Sequence, residues 1–252
     1  MNEPERPSPA ADDRKSFDAA KRSRAIAMGN DEGVSTQAAN LLSAVRTYDW
    51  SYQWTWLGLP IIQLPSDIVA MQEIIWETRP QLVIETGIAR GGSMALYASI
   101  LELLGEGTVV GVDIDIRVHN RSALENHPLF GRIELIEGSS VDPVVVNKVA
   151  EMAKSVERTM VVLDSDHSHD HVLAELRAYG PLVTTGQYLV VADTIIEQPA
   201  MEDRVRRWGP GNSPATALRA YLAETDRFVK DEPLEAKLLL TSSPGGYLRC
   251  VG

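Results

Sequence analysis

The sequence predicts an α/β protein with a doubly wound, mostly parallel sheet and helices on both faces. Short apolar runs of strand length alternate with segments of helical periodicity from residue 68 to residue 192. The apolar run 82–84 leads into a glycine-containing loop, and the segment 94–104 then carries apolar residues at helical spacing. A strand, a glycine loop and a helix in this order are typical of a nucleotide-type ligand site.

The remaining elements follow from apolar periodicity and from the residues that begin or end helices. Helices are predicted for 68–78, capped by Ser66 or Asp67, and for 94–104, 144–154, 171–179 and 215–225. The segment 117–126 is predicted to be a helix or an irregular turn. Further strands are predicted for 108–115, 132–137, 160–163 and 187–192. The segments 237–241 and 247–251 flank Ser-Ser-Pro-Gly-Gly, which predicts a C-terminal antiparallel hairpin. The polar segment 197–212 is predicted to be a mobile loop over the site.

The N-terminal region differs in composition from the rest of the chain. Residues 1–32 contain Pro4, Pro7 and Pro9, many charges and few large apolar side chains. We therefore expect 1–32 to be a flexible extension and 33–252 to be a single domain. The segment 15–28 can form a helix whose few apolar side chains would suit a contact with a neighbouring subunit.

An aromatic stretch follows this extension. Five aromatic side chains occupy alternate positions in the order Tyr48, Trp50, Tyr52, Trp54 and Trp56. An extended chain would place all five on one face. The stretch then forms a lid or pocket wall beside the cofactor site, a subunit contact, or a strap that covers the sheet.

Composition excludes several classes of protein. The net charge of −11 disfavours a protein that binds nucleic acid through its phosphates. The single cysteine, Cys250, has no partner for an intrachain disulfide or for a structural zinc site of the usual kind. The longest apolar runs have the length of strands, so we expect neither a membrane span nor a secretory signal, and a cytoplasmic location.

The loop after the first buried strand has an acidic residue where a diphosphate site would avoid one. Glu85 precedes Gly87 and Gly91, so the spacing differs from the G-x-G-x-x-G pattern of dinucleotide-binding proteins. A carboxylate there repels a diphosphate and suits the ammonium of S-adenosylmethionine. The alternatives are a nicotinamide-dependent oxidoreductase, or a glycine turn that only packs a helix against a strand.

Two later strand ends also carry candidate ligand groups. Asp113 ends the second strand of the doubly wound unit, where a carboxylate can accept hydrogen bonds from both ribose hydroxyls. Asp115 is the second candidate, and either residue can instead be a solvated acid at a strand end. The loop containing Ser139 and Ser140 follows the third strand and is expected to lie beside the adenine.

The segment 164–171 concentrates three aspartates and three histidines directly after a predicted strand. Asp164 and Asp193, at two neighbouring strand ends, could hold Mg²⁺ through oxygen ligands. His167 is the candidate general base, since imidazole accepts a proton near neutral pH.

Other interpretations of this segment remain open. His169 would support the base or contact substrate, and His171 would begin the next helix as a structural residue. A zinc site with histidine ligands and a polar surface loop are the two alternatives.

Several motifs from Trp54 to the C-terminus together resemble one known family. They are Trp56–Pro65, Glu85–Ser93, Gly111–Asp115, Asp164–His171, Tyr188–Thr194 and Pro244–Leu248. The chain resembles the cephalosporin hydroxylase and rhamnosyl O-methyltransferase-like family, a branch of the class I S-adenosylmethionine-dependent methyltransferases.

This resemblance implies a seven-stranded, Rossmann-like methyltransferase fold, methyl transfer to an oxygen of a natural-product or sugar substrate, Mg²⁺ dependence and homo-oligomers. The Asp-x-x-His spacing of related sugar methyltransferases falls on Asp164 and His167, as metal ligand and general base. Similar members carry Glu-Asp at the end of the fifth strand, where this chain has Ala192-Asp193. The lost ligand would have to be replaced by Glu197, by Asp166 or by water.

We therefore predict an O-methyltransferase that acts on a small-molecule acceptor, with His167 and Asp164 as catalytic residues. The predicted metal ligands are Asp164 and Asp193. The predicted cofactor-binding residues are Glu85, Gly87, Ala89, Gly91, Ser93, Asp113, Ser139, Ser140 and Asp164. Because Ala192 replaces a metal ligand, a cofactor-binding but catalytically silent scaffold is the second alternative.

Overall fold

The computed structural model describes residues 13–198 and 207–252. Its helices are α1 (Arg14–Gly29), α2 (Glu32–Arg46), α3 (Pro65–Thr78), α4 (Gly92–Leu104), α5 (Val118–Glu125), α6 (Pro143–Lys154), α7 (His169–Tyr179), α8 (Pro214–Leu222) and α9 (Glu232–Lys237). Its strands are β1 (Trp54–Trp56), β2 (Leu59–Ile61), β3 (Leu82–Thr86), β4 (Thr108–Asp113), β5 (Ile133–Glu137), β6 (Thr159–Leu163), β7 (Tyr188–Val191), β8 (Phe228–Lys230) and β9 (Tyr247–Cys250).

Seven of these strands form one sheet in the order β5-β4-β3-β6-β7-β9-β8. Strands β3 to β7 are parallel, whereas β9 runs antiparallel to both β7 and β8. This arrangement confirms the predicted α/β, Rossmann-like fold with an antiparallel C-terminal pair. Since β3, β4, β6 and β7 are parallel, their carboxyl ends lie along one edge of the sheet.

The sheet is covered on both faces. All five residues of β3 are buried, and alternate residues belong to different apolar clusters. Val83 packs with α3 and α4 on one face. Leu82 and Ile84 pack with α6, α7 and α8 on the other. Burial on both faces explains why the strands appear in the sequence as continuous apolar runs.

The prediction of 237–241 as the first strand of the C-terminal pair is wrong. Those residues form no strand, and the antiparallel partner of β9 at the sheet edge is β8. The side chain of Asp231 accepts a hydrogen bond from the backbone N–H of Leu234, and Pro233 lies in the first turn of α9. Helix α9 therefore forms before this segment and includes its first residue, Lys237. Thr241 then donates to Asp67 at 2.5 Å, a long-range contact that local pattern does not reveal.

The helix-capping role predicted for Asp67 is also wrong. Helix α3 begins at Pro65, with Leu64 as its N-terminal flanking residue. Asp67 is buried and accepts hydrogen bonds from Thr241 Oγ1 and Tyr247 Oη. Desolvation raises the pKa of Asp67, although these hydrogen bonds oppose the shift. Its carboxyl group thus joins α3 to β9 and to the segment before it.

The aromatic stretch is not one extended segment. Asp49 has φ = 50°, residues 50–52 form a 3₁₀ turn, and only Trp54–Trp56 is a strand. Tyr48 is exposed, whereas Trp54 and Trp56 pack against the core. The turn therefore prevents the five rings from sharing a face.

Helix α1 occupies almost the span predicted for it and packs against α9 of the same chain. A Cβ atom on Gly29 would lie 2.7 Å from the Cα atom of Ala236, so the two helices approach closely at this glycine. The contact lies within the chain, so α1 does not depend on a neighbouring subunit for its packing. Residues 1–12 of the predicted extension lie outside the described part of the chain.

Neither α1 nor any other helix in the described parts of the chain is long and apolar enough to cross a membrane.

The loop after β3 lies directly against the segment after β6. Gly87 has φ = +86°, and a Cβ atom there would be 2.0 Å from the carbonyl oxygen of Asp164. Gly186 has the same φ of +86°, but its Cβ would meet nothing within 4 Å. A side chain at Gly186 would therefore meet only backbone strain, whereas a side chain at Gly87 would meet the same backbone strain and a steric overlap as well.

We expect alanine substitutions at these two glycines to lower the free energy of unfolding by different amounts. Gly186→Ala should lower the free energy of unfolding by about 1–2 kcal/mol, the cost of a left-handed residue. Gly87→Ala should lower it by about 4 kcal/mol or more, in the range of severe substitutions, because Asp164 must also move. Urea denaturation measures both, and equal losses would contradict the close contact.

Candidate functional site

The glycine loop between β3 and α4 forms one wall of the site. Besides Gly87, Gly91 has φ = +84°, and a Cβ there would lie 2.9 Å from the side chain of Leu124 on α5. Ala89 also has a positive φ, of 46°. The loop therefore follows a path that brings its backbone close both to the segment after β6 and to α5.

Asp113, at the end of β4, organises this loop. Its Oδ2 accepts hydrogen bonds from the backbone N–H of Ile88 at 2.8 Å and of Ala89 at 3.4 Å. Its Oδ1 accepts one from the N–H of Asp115 at 3.1 Å, while the Asp115 residue itself is exposed. Since each carboxylate oxygen can accept two hydrogen bonds, Asp113 retains capacity for a ribose hydroxyl.

Glu85 is fully buried beneath the loop. Ser93 Oγ donates to Glu85 Oε2 at 2.7 Å, while Oε1 has no partner in hydrogen-bonding geometry among the described residues. Burial raises the pKa of Glu85 to about 8, although the hydroxyls of Ser93 and the nearby Tyr97 oppose the shift. A buried acid with an unfilled oxygen fits a cationic or hydrogen-bond-donating ligand group.

Tyr97 is not among the residues predicted from the sequence. It lies one helical turn after Ser93 on α4, so the two side chains share a face of the helix. Burial raises the pKa of the Tyr97 hydroxyl well above its ordinary value, and the charge of Glu85 raises it further, while Gln63 opposes the shift. The i, i+4 spacing from Ser93 is the signal in the sequence that could have identified this residue.

Ser139 and Ser140 lie after β5, as predicted. Ser140 is buried, with its Oγ 3.1 Å from His171 Nε2, and its carbonyl oxygen accepts a hydrogen bond from Tyr179 at 2.7 Å. His171 lies in the first turn of α7 and contacts Glu175, 3.5 Å away, which raises the histidine pKa against the effect of burial. The Ser140 hydroxyl is thus tied to α7, and its contact with adenine stays a prediction.

Asp164, His167 and Asp193 come together where the adjacent strands β6 and β7 end. One potential ligand atom from each lies within 4.8 Å of the others. His167 Nε2 is 3.4 Å from Asp193 Oδ2. Asp193 has φ = 54°, a left-handed conformation that aspartate tolerates better than most residues. We call these three residues the reaction cluster.

The electrostatics of the reaction cluster favour a cation. Desolvation raises the pKa of Asp164 well above its ordinary value, and the charges of Asp193 and Glu85 raise it further. A bound cation would relieve this repulsion. Two carboxylates suit a hard ion such as Mg²⁺, whereas the imidazole of His167 is a ligand more typical of zinc.

Neither residue expected to replace the missing carboxylate belongs to the reaction cluster. Glu197 accepts hydrogen bonds from Ser213 Oγ at 2.6 Å and from Arg219 at 2.9 Å. Asp166 accepts hydrogen bonds from the backbone N–H and the hydroxyl of Ser168. Both side chains instead hold loops in place.

His169 is held outside the reaction cluster by α8 and the loop before it. Its Nδ1 is 2.8 Å from Thr216 Oγ1, and its backbone N–H donates to Asn212 Oδ1 at 2.8 Å. Besides Asp193, His167 contacts Trp208, and the two rings meet edge to face with centroids 5.1 Å apart. Trp208 is not predicted individually, although it lies in the 197–212 loop expected over the site; residues 199–206 of that loop lie outside the described part.

A cavity of about 350 Å³ adjoins the reaction cluster. Asp193 forms part of its wall, together with Trp50, Tyr52, Gln63 and Trp208. Trp50 and Tyr52 of the aromatic stretch therefore line this cavity, while a position of the stretch beside the cofactor stays a prediction. A larger cavity of about 580 Å³ between α1, α2 and α9 contains none of the predicted site residues.

The family model described as Rhamnosyl O-methyltransferase/CmcI matches residues 48–251. A rhamnosyl O-methyltransferase of Mycobacterium tuberculosis (strain ATCC 25618 / H37Rv) is 35% identical over 199 residues, which cover 77% of each chain. The rhamnosyl O-methyltransferase of Mycobacterium leprae (strain TN) is 32% identical over 208 residues, covering 80% of this chain and 86% of that protein.

Solved structures show the same fold at low identity. An apo structure of CmcI has a TM-score of 0.57 at 20% identity, covering 80% of this chain and 77% of its own. A CmcI structure with Mg and SAM has a TM-score of 0.54 at 19% identity, covering 80% and 78%. A putative caffeoyl-CoA O-methyltransferase from Staphylococcus aureus has a TM-score of 0.55 at 12% identity, covering 87% and 92%. From the match over most of its length and from its mycobacterial relatives, the chain belongs to the rhamnosyl O-methyltransferase/CmcI family, as its motifs predict.

Proposed function

We propose that this protein is an S-adenosylmethionine-dependent O-methyltransferase that acts on a hydroxyl of a sugar-containing metabolite or another small natural product. The observation that carries the proposal is the reaction cluster at the ends of β6 and β7, beside the glycine loop that follows β3. The names of the mycobacterial relatives support the acceptor class, and the CmcI structure with Mg and SAM supports the two cofactors.

The cofactor would lie along the glycine loop and the end of β4. The unfilled Oε1 of Glu85 and the backbone of the loop suit its methionine end, while Asp113 suits the ribose. Bound there, S-adenosylmethionine would supply the methyl group, whose bond to sulfur breaks as the bond to the acceptor oxygen forms. The main contribution of the protein to catalysis would be to hold the acceptor oxygen in line with that methyl group.

His167 would accept the proton that the acceptor hydroxyl loses. Its Nε2 is 3.4 Å from Asp193 Oδ2, so the carboxylate would stabilise the imidazolium that forms. Asp164 and Asp193 would also hold Mg²⁺, which lowers the pKa of a hydroxyl group bound to it. Because His167 is close enough to be a third ligand, its two possible roles must be separated experimentally.

His167→Ala should lower turnover about 10²–10⁴-fold, the usual contribution of a general base. The measurement is methyl transfer from labelled S-adenosylmethionine to methyl α-L-rhamnopyranoside and related glycosides. His127→Ala, at a histidine that contacts the carbonyl oxygen of Leu57 and neither the glycine loop nor the reaction cluster, is the matched control and should leave turnover unchanged. Binding of S-adenosylhomocysteine, measured by calorimetry, should be equal in both variants.

Three results would contradict the proposal. Binding of NAD and not of S-adenosylmethionine would indicate an oxidoreductase. Full turnover by His167→Ala would remove the proposed base. Cofactor binding with no methyl transfer to any glycoside or other small hydroxyl-bearing natural product would indicate a silent scaffold.

Ala192→Glu should increase the affinity for divalent metal, because it restores a carboxylate beside Asp193. Mn²⁺ binding followed by electron paramagnetic resonance should tighten about tenfold or more, and Asp193→Asn should weaken it by a similar factor. Ala192→Gln is the matched control, since it adds similar volume without the charge. His167→Ala belongs in the same series, because weaker Mn²⁺ binding would make His167 a ligand.

Glu85→Gln should make stability less dependent on pH. The pKa of Glu85 is about 8 in the folded protein and 4.5 ordinarily, so its stabilising contribution is complete below about pH 4.5 and is lost as the pH rises through 8. Across the neutral range up to that pKa, the melting temperature of the wild type without cofactor should therefore fall further than that of the variant. If the melting temperatures of the wild type and the variant instead fell in parallel with rising pH, the Glu85 carboxyl would not be held protonated.

A further inference from the structure

Helix α7 carries three polar side chains at intervals of four residues. His171, Glu175 and Tyr179 lie at i, i+4 and i+8 and therefore share one face of the helix. Glu175 and Tyr179 are fully buried, and His171 is partly buried. Buried polar groups need hydrogen-bond partners from the segments packed against them. On this face of α7 the partners come from the segments that follow β5 and β6.

The segment after β6 is held through Ser165. Its Oγ donates to Glu175 Oε1 at 2.6 Å and lies 3.2 Å from His171 Nε2. Its backbone packs against the glycine loop after β3. Because Ser165 lies between Asp164 and His167 in the chain, these contacts limit the movement of both residues.

The loop after β5 is held by the same face of α7. Ser140 Oγ lies 3.1 Å from His171 Nε2, and the Ser140 carbonyl oxygen accepts a hydrogen bond from Tyr179 Oη at 2.7 Å. Ser140 is buried, and these contacts hold both its side chain and its backbone. One helix face therefore joins the loop predicted to meet the adenine to the segment that carries the proposed base.

The carboxyl group of Glu175 is the centre of this network. Its Oε2 atom is buried and has no hydrogen-bond partner among the described residues, whereas Oε1 lies 3.5 Å from His171 Nε2. The contact with Glu175 is the main cause that raises the pKa of His171, against the effect of burial, and the charge of Asp166 adds to it. When one partner of a buried charged pair is removed, the other is left uncompensated. Loss of the Glu175 charge should therefore disturb His171 as well as Ser165.

The network differs from a nucleophilic triad of serine, histidine and acid. In a triad the serine and the acid contact different nitrogens of the imidazole, so the acid orients the ring while the serine loses its proton. Here Ser140, Ser165 and Glu175 all lie near the same nitrogen, Nε2 of His171. Ser165 also donates its proton to the acid. This geometry suits holding two segments in place and not the activation of a serine.

We propose that Glu175 and His171 are positioning residues for methyl transfer. Glu175 acts through Ser165 on the segment that carries the reaction cluster residues Asp164 and His167. His171 acts on the loop after β5, whose hydroxyl group it contacts. The inference rests on the proposed function and deepens it by naming residues that act on the site through others. Partners of this kind commonly change metal affinity or activity by about ten- to a hundredfold.

Ser165→Ala should separate the two branches of the network. It removes the donor to Glu175 but leaves the contact of His171 with the loop after β5. Turnover of methyl α-L-rhamnopyranoside and related glycosides, measured as kcat, should fall about tenfold, and Mn²⁺ binding followed by electron paramagnetic resonance should weaken by a similar factor. The affinity for S-adenosylhomocysteine, measured by calorimetry, should stay within about twofold of the wild type.

Glu175→Gln should affect both branches, because it removes the charge and keeps the size of the side chain. The kcat value and the affinities for Mn²⁺ and for S-adenosylhomocysteine should each fall about tenfold. An NMR titration of the imidazole signals should show a lower pKa for His171 in the variant than in the wild type. Combined with Ser165→Ala, Glu175→Gln should lower kcat little further, since the two residues act on the reaction cluster through one contact.

Glu235→Gln is the matched control, because Glu235 is a partly buried glutamate on α9 that accepts hydrogen bonds from the N–H groups of Gly245 and Tyr247. It should leave all four measurements unchanged. Wild-type values for Ser165→Ala and Glu175→Gln would overturn the positioning roles, and so would equal losses in Glu235→Gln. If the wild type binds no S-adenosylhomocysteine, the proposed function fails, whereas Mn²⁺ binding and the His171 titration still test the network.

Discussion

The close contact between the loop after β3 and the segment after β6 is the constraint on which the site depends. At Gly87 the loop meets the carbonyl oxygen of Asp164, so any side chain would push the two strand ends apart. The same segment carries Asp164 and His167, and the same loop covers Glu85. The glycine loop and the reaction cluster are therefore positioned relative to each other by backbone packing, before any ligand binds.

This packing concentrates carboxyl groups at one edge of the sheet. Glu85 is buried, and desolvation raises the pKa of Glu85 and of Asp164 in the same direction. Without a cation, the fold accommodates these groups by favouring their protonated forms. Cationic ligand groups and metal ions would reverse that preference. The binding of a positively charged group is therefore coupled to the ionisation of Glu85 and Asp164.

Local pattern is sufficient to predict the parallel strands, their helices and the glycine loop, because buried strands and helix faces have distinct periodicities. It also places Asp164, His167 and Asp193 at neighbouring strand ends. Contacts between distant segments are not predictable in this way. Asp67 resembles a helix cap when only its neighbours in the sequence are considered, whereas its hydrogen-bond partners lie more than 170 residues away. Trp208 cannot be assigned from the sequence because nothing local indicates that its ring meets His167.

The replacement of the expected glutamate by Ala192 changes the charge balance of the reaction cluster. If Asp164 and Asp193 hold a divalent cation, as we propose, the charges of the two carboxylates and the cation sum to zero, whereas three carboxylates would leave one negative charge. A neutral cluster would attract an imidazolium less strongly, so under the proposed mechanism the contact between His167 Nε2 and Asp193 Oδ2 would matter more for holding the transferred proton. The ring of Trp208 also packs against the imidazole of His167, at an interplanar angle of 87°. Under the proposed mechanism, the contacts of His167 with Asp193 and Trp208 would therefore help to hold the imidazole in place where a third carboxylate is missing.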